Sequence, residues 1–286
     1  MKKVILITGA SSGFGRLTAL AMLAKGHTVY ASMRNINGKN APVAQELSRA
    51  GASVIELDVT DGHSIQTAIN TLTSKEDKLD VLINNAGVAA AGISESFSDK
   101  QVQAMFDVNV FGLFRVTQAV LPLMRKHNDG LILNVGSILG RVTFPFYGLY
   151  GASKYAVEAI TDSLSYELSQ LGIDVVLVQP SAYPTNMYAN AIAPETPSLA
   201  EEYGDVANVP EAIGSTIASL FESEDAPQPS DIANAAVTLV EQAKGTRPKR
   251  VVVGNSFGAD AANDQIAPIQ AQLIEALGLS SLETIQ

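Results

Sequence analysis

Two kinds of stretch alternate along the chain. Short apolar, β-branched runs break off at glycine, asparagine or charge, and longer runs with apolar residues at helical spacing follow them. Residues 3–8 predict a short buried strand bounded by Gly9. A helix is predicted from about Phe14, with Leu17, Leu20, Ala21 and Ala24 on one face; it stops at Lys25-Gly26, and Thr28–Met33 predicts a second strand. The punctuation recurs. A helix over about 41–50 stops at Gly51 before the strand 53–57, and a helix over about 150–171 stops at Gly172 before the strand 173–178. Glycine behind a helix supplies the left-handed C-cap, and an apolar run directly after it is the αβ junction of a βαβ unit. Further strands are predicted at 79–84, 131–135 and 249–253. Apolar strands interleaved with helices predict an α/β fold, about seven parallel strands covered by helices on both faces.

One region breaks the rhythm. Residues 186–230 contain no strand pattern and are marked by Pro184, Pro194, Pro197, Pro210, Pro227 and Pro229 at their flanks and within. Met187, Tyr188, Ile192, Leu199, Ile213, Ile217, Leu220 and Phe221 are scattered through them, with helical spacing over 213–221. Connections this long inside a domain are usually functional or disordered, so a partly helical lid inserted into a single 1–286 domain is expected, a packed excursion or an oligomer contact being the alternative. Helices are also expected over 230–244 and, apolar-faced, over 264–278. No 20–50-residue repeat is visible, which excludes a solenoid.

Composition narrows the function. The 286 residues are 47% hydrophobic and 17% charged, enough for a large core. A net charge of −10 argues against nucleic-acid or anionic-membrane partners. Cysteine is absent and His27, His63 and His127 stand apart, so neither a thiol nucleophile nor a metal site is expected. The opening Met1–Ile7 run is too short for a signal peptide and gives way at once to a glycine turn. No apolar run reaches the ~20 residues of a membrane span. A cytoplasmic protein is expected.

The candidate chemistry sits in two places. Thr8-Gly9-Ala10-Ser11-Ser12-Gly13-Phe14-Gly15 lies between the first strand and the first helix. Glycines there let backbone approach a pyrophosphate, and the helix N-terminus offers unpaired N–H groups. The spacing is neither G-x-G-x-x-G nor a Walker loop. At the end of the second strand, where an acid would hold the ribose 2′-OH of NAD and an arginine the 2′-phosphate of NADP, the chain has Met33 and Arg34. That favours NADP(H) over NAD(H). The second place is Tyr150-Gly151-Ala152-Ser153-Lys154, a tyrosine and a lysine one helical turn apart. A cation lowers a neighbouring phenol's pKa, which makes the pair an acid/base candidate, though such pairs are also common on solvated helix faces.

In this order and spacing the residues resemble the short-chain dehydrogenase/reductase family, from Lys3 to about Thr185 and loosely to Val251–Gly254. The resemblance implies a Rossmann-type doubly wound sheet, often in homodimers or homotetramers. Beside the Arg34 read from the end of the second strand, it implies cofactor contacts from Gly9, Ser11, Ser12, Gly13, Phe14 and Gly15; from Asp58 and Val59; from Asn85, Ala86 and Gly87; and from Pro180, Tyr183 and Thr185, with Tyr150 and Lys154. It implies a catalytic set of Asn109, Ser137, Tyr150 and Lys154. Ser137 would bind the substrate oxygen, Tyr150 would exchange the proton, Lys154 would lower the tyrosine pKa and hold the ribose, and Asn109 would hold a water leading from Lys154 to solvent. Taken singly, Ser137 also suits a turn cap, Asn109 a buried polar group, and Asp58 an Asx-turn. Two positions depart from the family: Pro180-Ser181 replaces Pro-Gly, and Tyr183 stands where an aliphatic residue often meets the carboxamide. The implied activity is hydride transfer between NADP(H) and a ketone, aldehyde or secondary alcohol, partly apolar because the 186–230 segment and Phe144, Phe146 and Tyr147 would line the pocket. An NAD-preferring dehydrogenase and a dinucleotide sensor without turnover are the alternatives.

Overall fold

The computed structural model describes residues 1–223 and 226–286. Its centre is one seven-stranded sheet, every pairing parallel, in the order β3-β2-β1-β4-β5-β6-β7. The strands are β1 Val4–Ile7, β2 Thr28–Met33, β3 Ser53–Glu56, β4 Val81–Asn84, β5 Gly130–Val135, β6 Ile173–Pro180 and β7 Arg250–Val253. All seven expected strands are present, with ends moved by at most two residues. β1 shows why the central strands carry so few polar residues. Ile5 and Ile7 enter the core on one face of the sheet, Val4 and Leu6 the core on the other, and Ile5, Leu6 and Ile7 are all 0% exposed. A strand sandwiched between two helical layers has no solvent face, and each such side chain contributes about 1.5–3 kcal/mol.

Helices α1 Gly13–Ala24, α2 Ala41–Arg49 and α9 Ser230–Glu241 cover the first face; α3 Gly62–Thr73, α5 Leu113–His127 and α6 Gly148–Ser169 cover the second. The caps expected behind α1, α2 and α6 are there: Gly26, Gly51 and Gly172 have φ of +81°, +103° and +67°. The face assigned to α1 is corrected. Gly15, Thr18, Ala19 and Met22 are buried, whereas Leu17, Leu20 and Ala21 flank them and Ala24 is exposed. The helix enters the sheet at its glycine turn, where only small residues allow close approach, and it also packs sideways on α9. Helix α3 has no counterpart among the expectations, although Ile65, Ala68, Ile69 and Leu72 carry the i, i+3, i+4, i+7 pattern.

Residues 99–127 form one continuous helical run: α4 Asp99–Phe106, a π-helical turn Asp107–Gly112, then α5. An 18-residue window of this run is apolar enough to cross a membrane by length and composition alone (mean hydropathy 1.2), although Asp107 and Arg115 keep any uninterrupted apolar run within it short of the ~20 residues of a span. In this fold Val116, Val120 and Met124 bury it against the sheet instead. The 186–223 stretch is helical: α7 Asn186–Ala189, a 3-10 stretch Pro197–Asn208 broken at Gly204 (φ 55°, ψ −134°), and α8 Val209–Phe221. α10, Ala259–Ala276, follows β7 and is mostly exposed.

Candidate active site

The chain winds from β1 outward through β2 and β3, then returns to start β4 on the other side of β1. Such a switch point leaves a crevice beyond the strand ends, where α/β proteins bind ligands. Here hydrogen bonds stitch the two loops that line it. The Thr8 hydroxyl accepts from the amides of Asn85 (3.0 Å) and Ala86 (3.1 Å), and the Asn85 side chain donates to the carbonyls of Thr8 (2.9 Å) and Gly9 (3.1 Å). The crevice opens into a groove of about 710 Å³ lined by Gly9, Ser11, Ser12, Gly13, Phe14, Arg34, Lys39, Asp58, Val59, Asn85, Ala86, Gly87 and Thr185.

These residues fit a dinucleotide. Gly9 and Gly13 take φ of +67° and +49°, and a Cβ on Gly9 would lie 2.8 Å from Ala86 Cα. Gly15 lies behind the turn, where a Cβ would run into the Asn85 amide and the Gly9 carbonyl. Among the described residues no side chain caps the start of α1, so its first N–H groups stay available to an anion. At the far end Arg34 pairs with Asp58 at 3.7 Å. Asp58 also accepts from the Thr60 amide (2.9 Å) and hydroxyl (2.7 Å), so it makes the Asx-turn as well as facing the groove. Burial pushes its carboxyl up, but the Thr60 bonds and Arg34 outweigh that and hold it below the usual range.

A narrower slot of about 100 Å³ lies beside the groove. Ser137, Tyr150, Lys154, Pro180 and Tyr183 line it, with Phe144, Tyr147, Tyr188, Ile217, Leu220 and Phe257. Phe14, Asn85 and Thr185 border both spaces, which places Tyr150 and Lys154 at their seam. Tyr150 is 7% exposed and Lys154 5%, so the solvated-face alternative is excluded for this pair. The Lys154 ammonium donates to the Val135 carbonyl (3.0 Å) and sits 5.7 Å from the Tyr150 ring centre. Burial pushes the Tyr150 phenol up to about 12, with Ser137 beside it pulling the other way. Burial alone brings Lys154 down to about 8. The expected lowering of the tyrosine by the lysine is therefore overridden: both groups are buried, and desolvation favours the neutral form of each.

Ser137 caps the short turn Ile138–Gly140, accepting from the Leu139 amide at 3.1 Å, while its hydroxyl still faces the slot. Asn109 lies in the π-helical turn. Its amide donates to Val88 O (2.9 Å) and Ser153 Oγ (3.0 Å), and its carbonyl accepts from Val88 N (2.8 Å). That fixes it as a buried polar brace between the loop after β4 and the Tyr150 helix; a π turn at a site is itself a functional mark, and nothing in the periodicity announces it. Tyr183 is turned into the core at 2% exposure, edge-on to Phe14 at 5.5 Å, with burial pushing its phenol up to about 12. It bears on the slot through Phe14 and its own ring edge.

A buried ring behind the site escaped the sequence. Glu158, two turns past Tyr150, accepts from Arg141 (2.9 Å), from Arg250 (2.8 Å) and from the side chain of Gln179. Asn263 closes the ring, donating to Gln179 (2.7 Å) and accepting from Arg141 (2.9 Å).

The sequence profile of the short chain dehydrogenase family matches residues 3–196. The 3-ketodihydrosphingosine reductase of Bacteroides thetaiotaomicron is 37% identical over 203 residues, 71% of this chain and 72% of that one. A variant of actinorhodin polyketide ketoreductase with NADPH superposes with a TM-score of 0.74 at 28% identity, covering 90% of this chain and 97% of that one. A 3-ketoacyl-(acyl-carrier-protein) reductase from Brucella melitensis complexed with NADH gives 0.74 at 25% identity, covering 89% and 98%.

Proposed function

The chain belongs to the short-chain dehydrogenase family and is an oxidoreductase of that family, and from this premise we propose that it is an NADP(H)-dependent carbonyl reductase or secondary alcohol dehydrogenase for a partly apolar small molecule. The observation that carries the proposal is the placement of Tyr150 and Lys154, both buried, at the seam between a dinucleotide-shaped groove and an apolar slot. Bound there, the nicotinamide supplies or receives the hydride. Ser137 donates a hydrogen bond to the substrate oxygen in the slot, and Tyr150 gives that oxygen its proton in reduction or takes it in oxidation. Lys154 keeps a positive charge under the phenol, and Asn109 holds the loop after β4 against the helix that carries both. Helices α7 and α8 act as the lid over the slot, since Met187, Tyr188, Ile217 and Leu220 line it.

For the cofactor, Arg34 and Lys39 are two cations at the adenosine end of the groove, and no carboxylate follows β2 directly. An arginine there suits a 2′-phosphate. The structural neighbours include both an NADPH and an NADH complex, so the preference rests on this chain's own cations. The test pairs two variants. Tyr150→Phe is expected to lower turnover of a ketone panel by about 10²–10⁴-fold, the usual worth of a general acid, with NADPH binding retained. Arg34→Ala is expected to raise KM for NADPH and leave KM for NADH nearly unchanged. An active Tyr150→Phe enzyme overturns the mechanism; a wild type that prefers NADH overturns the cofactor assignment alone.

A further inference from the structure

Ser137 sits between two anchors. Before it, the Gly136 amide donates to the Val178 carbonyl of β6 at 2.8 Å, which ties down the end of β5. After it comes the short turn, closed by bonds from the Gly140 amide to the Ser137 carbonyl (3.0 Å) and from the Arg141 amide to the Ile138 carbonyl (2.9 Å). The turn lies flush on the helix that carries Tyr150: a Cβ on Gly140 would fall 2.9 Å from Glu158 Cγ and 3.0 Å from the Lys154 carbonyl. Arg141 is the second anchor. Its carbonyl accepts from the Tyr155 hydroxyl at 2.6 Å. Its guanidinium reaches two partners at once, Glu158 at 2.9 Å and Asn263 at 2.9 Å.

The other members of the ring lead to the slot as well. Glu158 stands one helical turn beyond Lys154 on α6. Gln179 immediately precedes Pro180, where β6 runs into the slot wall. Asn263 bridges the two arms, donating to Gln179 and accepting from Arg141. It comes from α10, a helix whose buried residues, among those described, are Ala259 and Ile274. A surface helix is thus joined by hydrogen bonds to the turn that holds Ser137. Glu158 is 3% exposed and Gln179 0%. Well-packed apolar side chains would hold such an interior as firmly as buried ions, or more so. What a fully partnered polar ring adds is direction, because each bond fixes a distance and an angle between the groups it joins. Here those groups carry the hydroxyls that must meet one substrate oxygen.

Resting on the carbonyl/alcohol reading above, in which Ser137 holds that oxygen, we propose that Arg141 and Asn263 are positioning residues for Ser137. The fork of Arg141, held by Glu158 and Asn263, sets the Ser137 hydroxyl beside that of Tyr150 so that one oxygen reaches both. Neither Arg141 nor Asn263 lines the slot or the groove. They act on turnover through Ser137 and not on cofactor affinity.

Two variants test this while keeping the charges of the ring. Asn263→Ala removes none of them, and Arg141→Lys keeps the cation but loses the fork. Each is expected to lower kcat for a ketone about tenfold, since an ångström of misplacement costs up to about 10²-fold, with KM for NADPH unchanged. Asn263→Asp keeps the acceptor toward Arg141 and drops the donor to Gln179. It is expected to restore kcat, which separates the Ser137 arm from the β6 arm. On a Ser137→Ala background the Asn263→Ala loss is expected to vanish, because residues acting as one unit are not additive. A general loosening of the fold would persist on that background. Crystal structures of the NADPH-loaded Asn263→Ala and Asn263→Asp proteins read the clamp without turnover. If the wild type reduces no ketone, but Ser137 Oγ is displaced in the first and back in place in the second, the positioning stands and the reductase reading falls. If Ser137 stays in place in Asn263→Ala, or that variant keeps the kcat of an active wild type, the inference is overturned.

Discussion

At Tyr150 and Lys154 a proton donor and a cation share one buried place, and burial opposes the charge on both. With the phenol at about 12 and the ammonium at about 8, Tyr150 is protonated across the physiological range and ready to donate, while Lys154 loses its charge first as pH rises. Reduction needs both groups protonated. Its kcat/KM is therefore expected to stay level through neutrality and to fall above about pH 8, far below the phenol's own titration; oxidation, which needs the phenolate, should rise with pH over the same range. In Lys154→Arg, whose guanidinium keeps its charge, whatever reduction remains should lose the fall near 8. A descending limb only above pH 10 would remove Lys154 from the mechanism. Stability follows with opposite signs for the two groups. The lysine's folded pKa lies below its ordinary 10.5, so its cost is full below about pH 8 and is relieved as pH rises to 10.5. The tyrosine's lies above 10, so stability is lost as pH climbs from 10 towards 12. The residue identities at the site were legible in the sequence, since the glycine turn, Ser137, Tyr150 and Lys154 occur at family spacing. Which term governs their titration was not, because spacing carries no burial.

At the scale of elements, the strands were legible because most are short, largely apolar runs set off by glycine, asparagine or charged residues. α8 was legible as a helical tendency over 213–221 and occupies 209–221. What spacing could not give is contact between distant elements. The Glu158 ring joins α6, the turn after Ser137, β6, β7 and α10, with partners up to 122 residues apart. Within it burial pushes the Glu158 carboxyl above its ordinary range against the pull of Arg250, Arg141 and Gln179. A buried acid facing two arginines costs little while all are present and much when one is removed. Glu158→Gln is expected to destabilise the fold by about 3 kcal/mol, the low end of the usual cost of breaking a buried ion pair, because Asp162 still pairs with Arg250; it is read as a lowered midpoint in denaturant. The exposed pair Lys25–Glu241, at 3.1 Å, is the control: Lys25→Ala should cost ~1 kcal/mol or less. Equal costs for the two would mean that the ring is no more than a surface pair.

Over the whole molecule, three of the exposed aromatic residues fall on adjoining elements. Phe111 is 52% exposed, Phe114 38% and Tyr155 42%. They stand on the π turn, the start of α5 and α6, elements packed against one another through Asn109 and Ser153. Single exposed apolar residues need no explanation, but three aromatics on adjoining elements bring ~150–250 Å² each to any interface they enter. The family resemblance implies a homodimer or homotetramer, and this face offers one place for the contact. A homodimer or homotetramer built on this face would bury about 1,200–2,000 Å² per contact, and its assembly would lean on helices that also hold Tyr150 and Asn109. Sedimentation at micromolar concentration is then expected to give an oligomer, and Phe111→Glu with Phe114→Glu a smaller species, since two desolvated carboxylates oppose the contact. Because α6 and the π turn are shared, the dissociated variant should also bind substrate less well than its intact fold, judged by circular dichroism, would suggest. A wild-type monomer under these conditions, with full activity, would show that the site is complete in one chain and that these aromatics serve another partner.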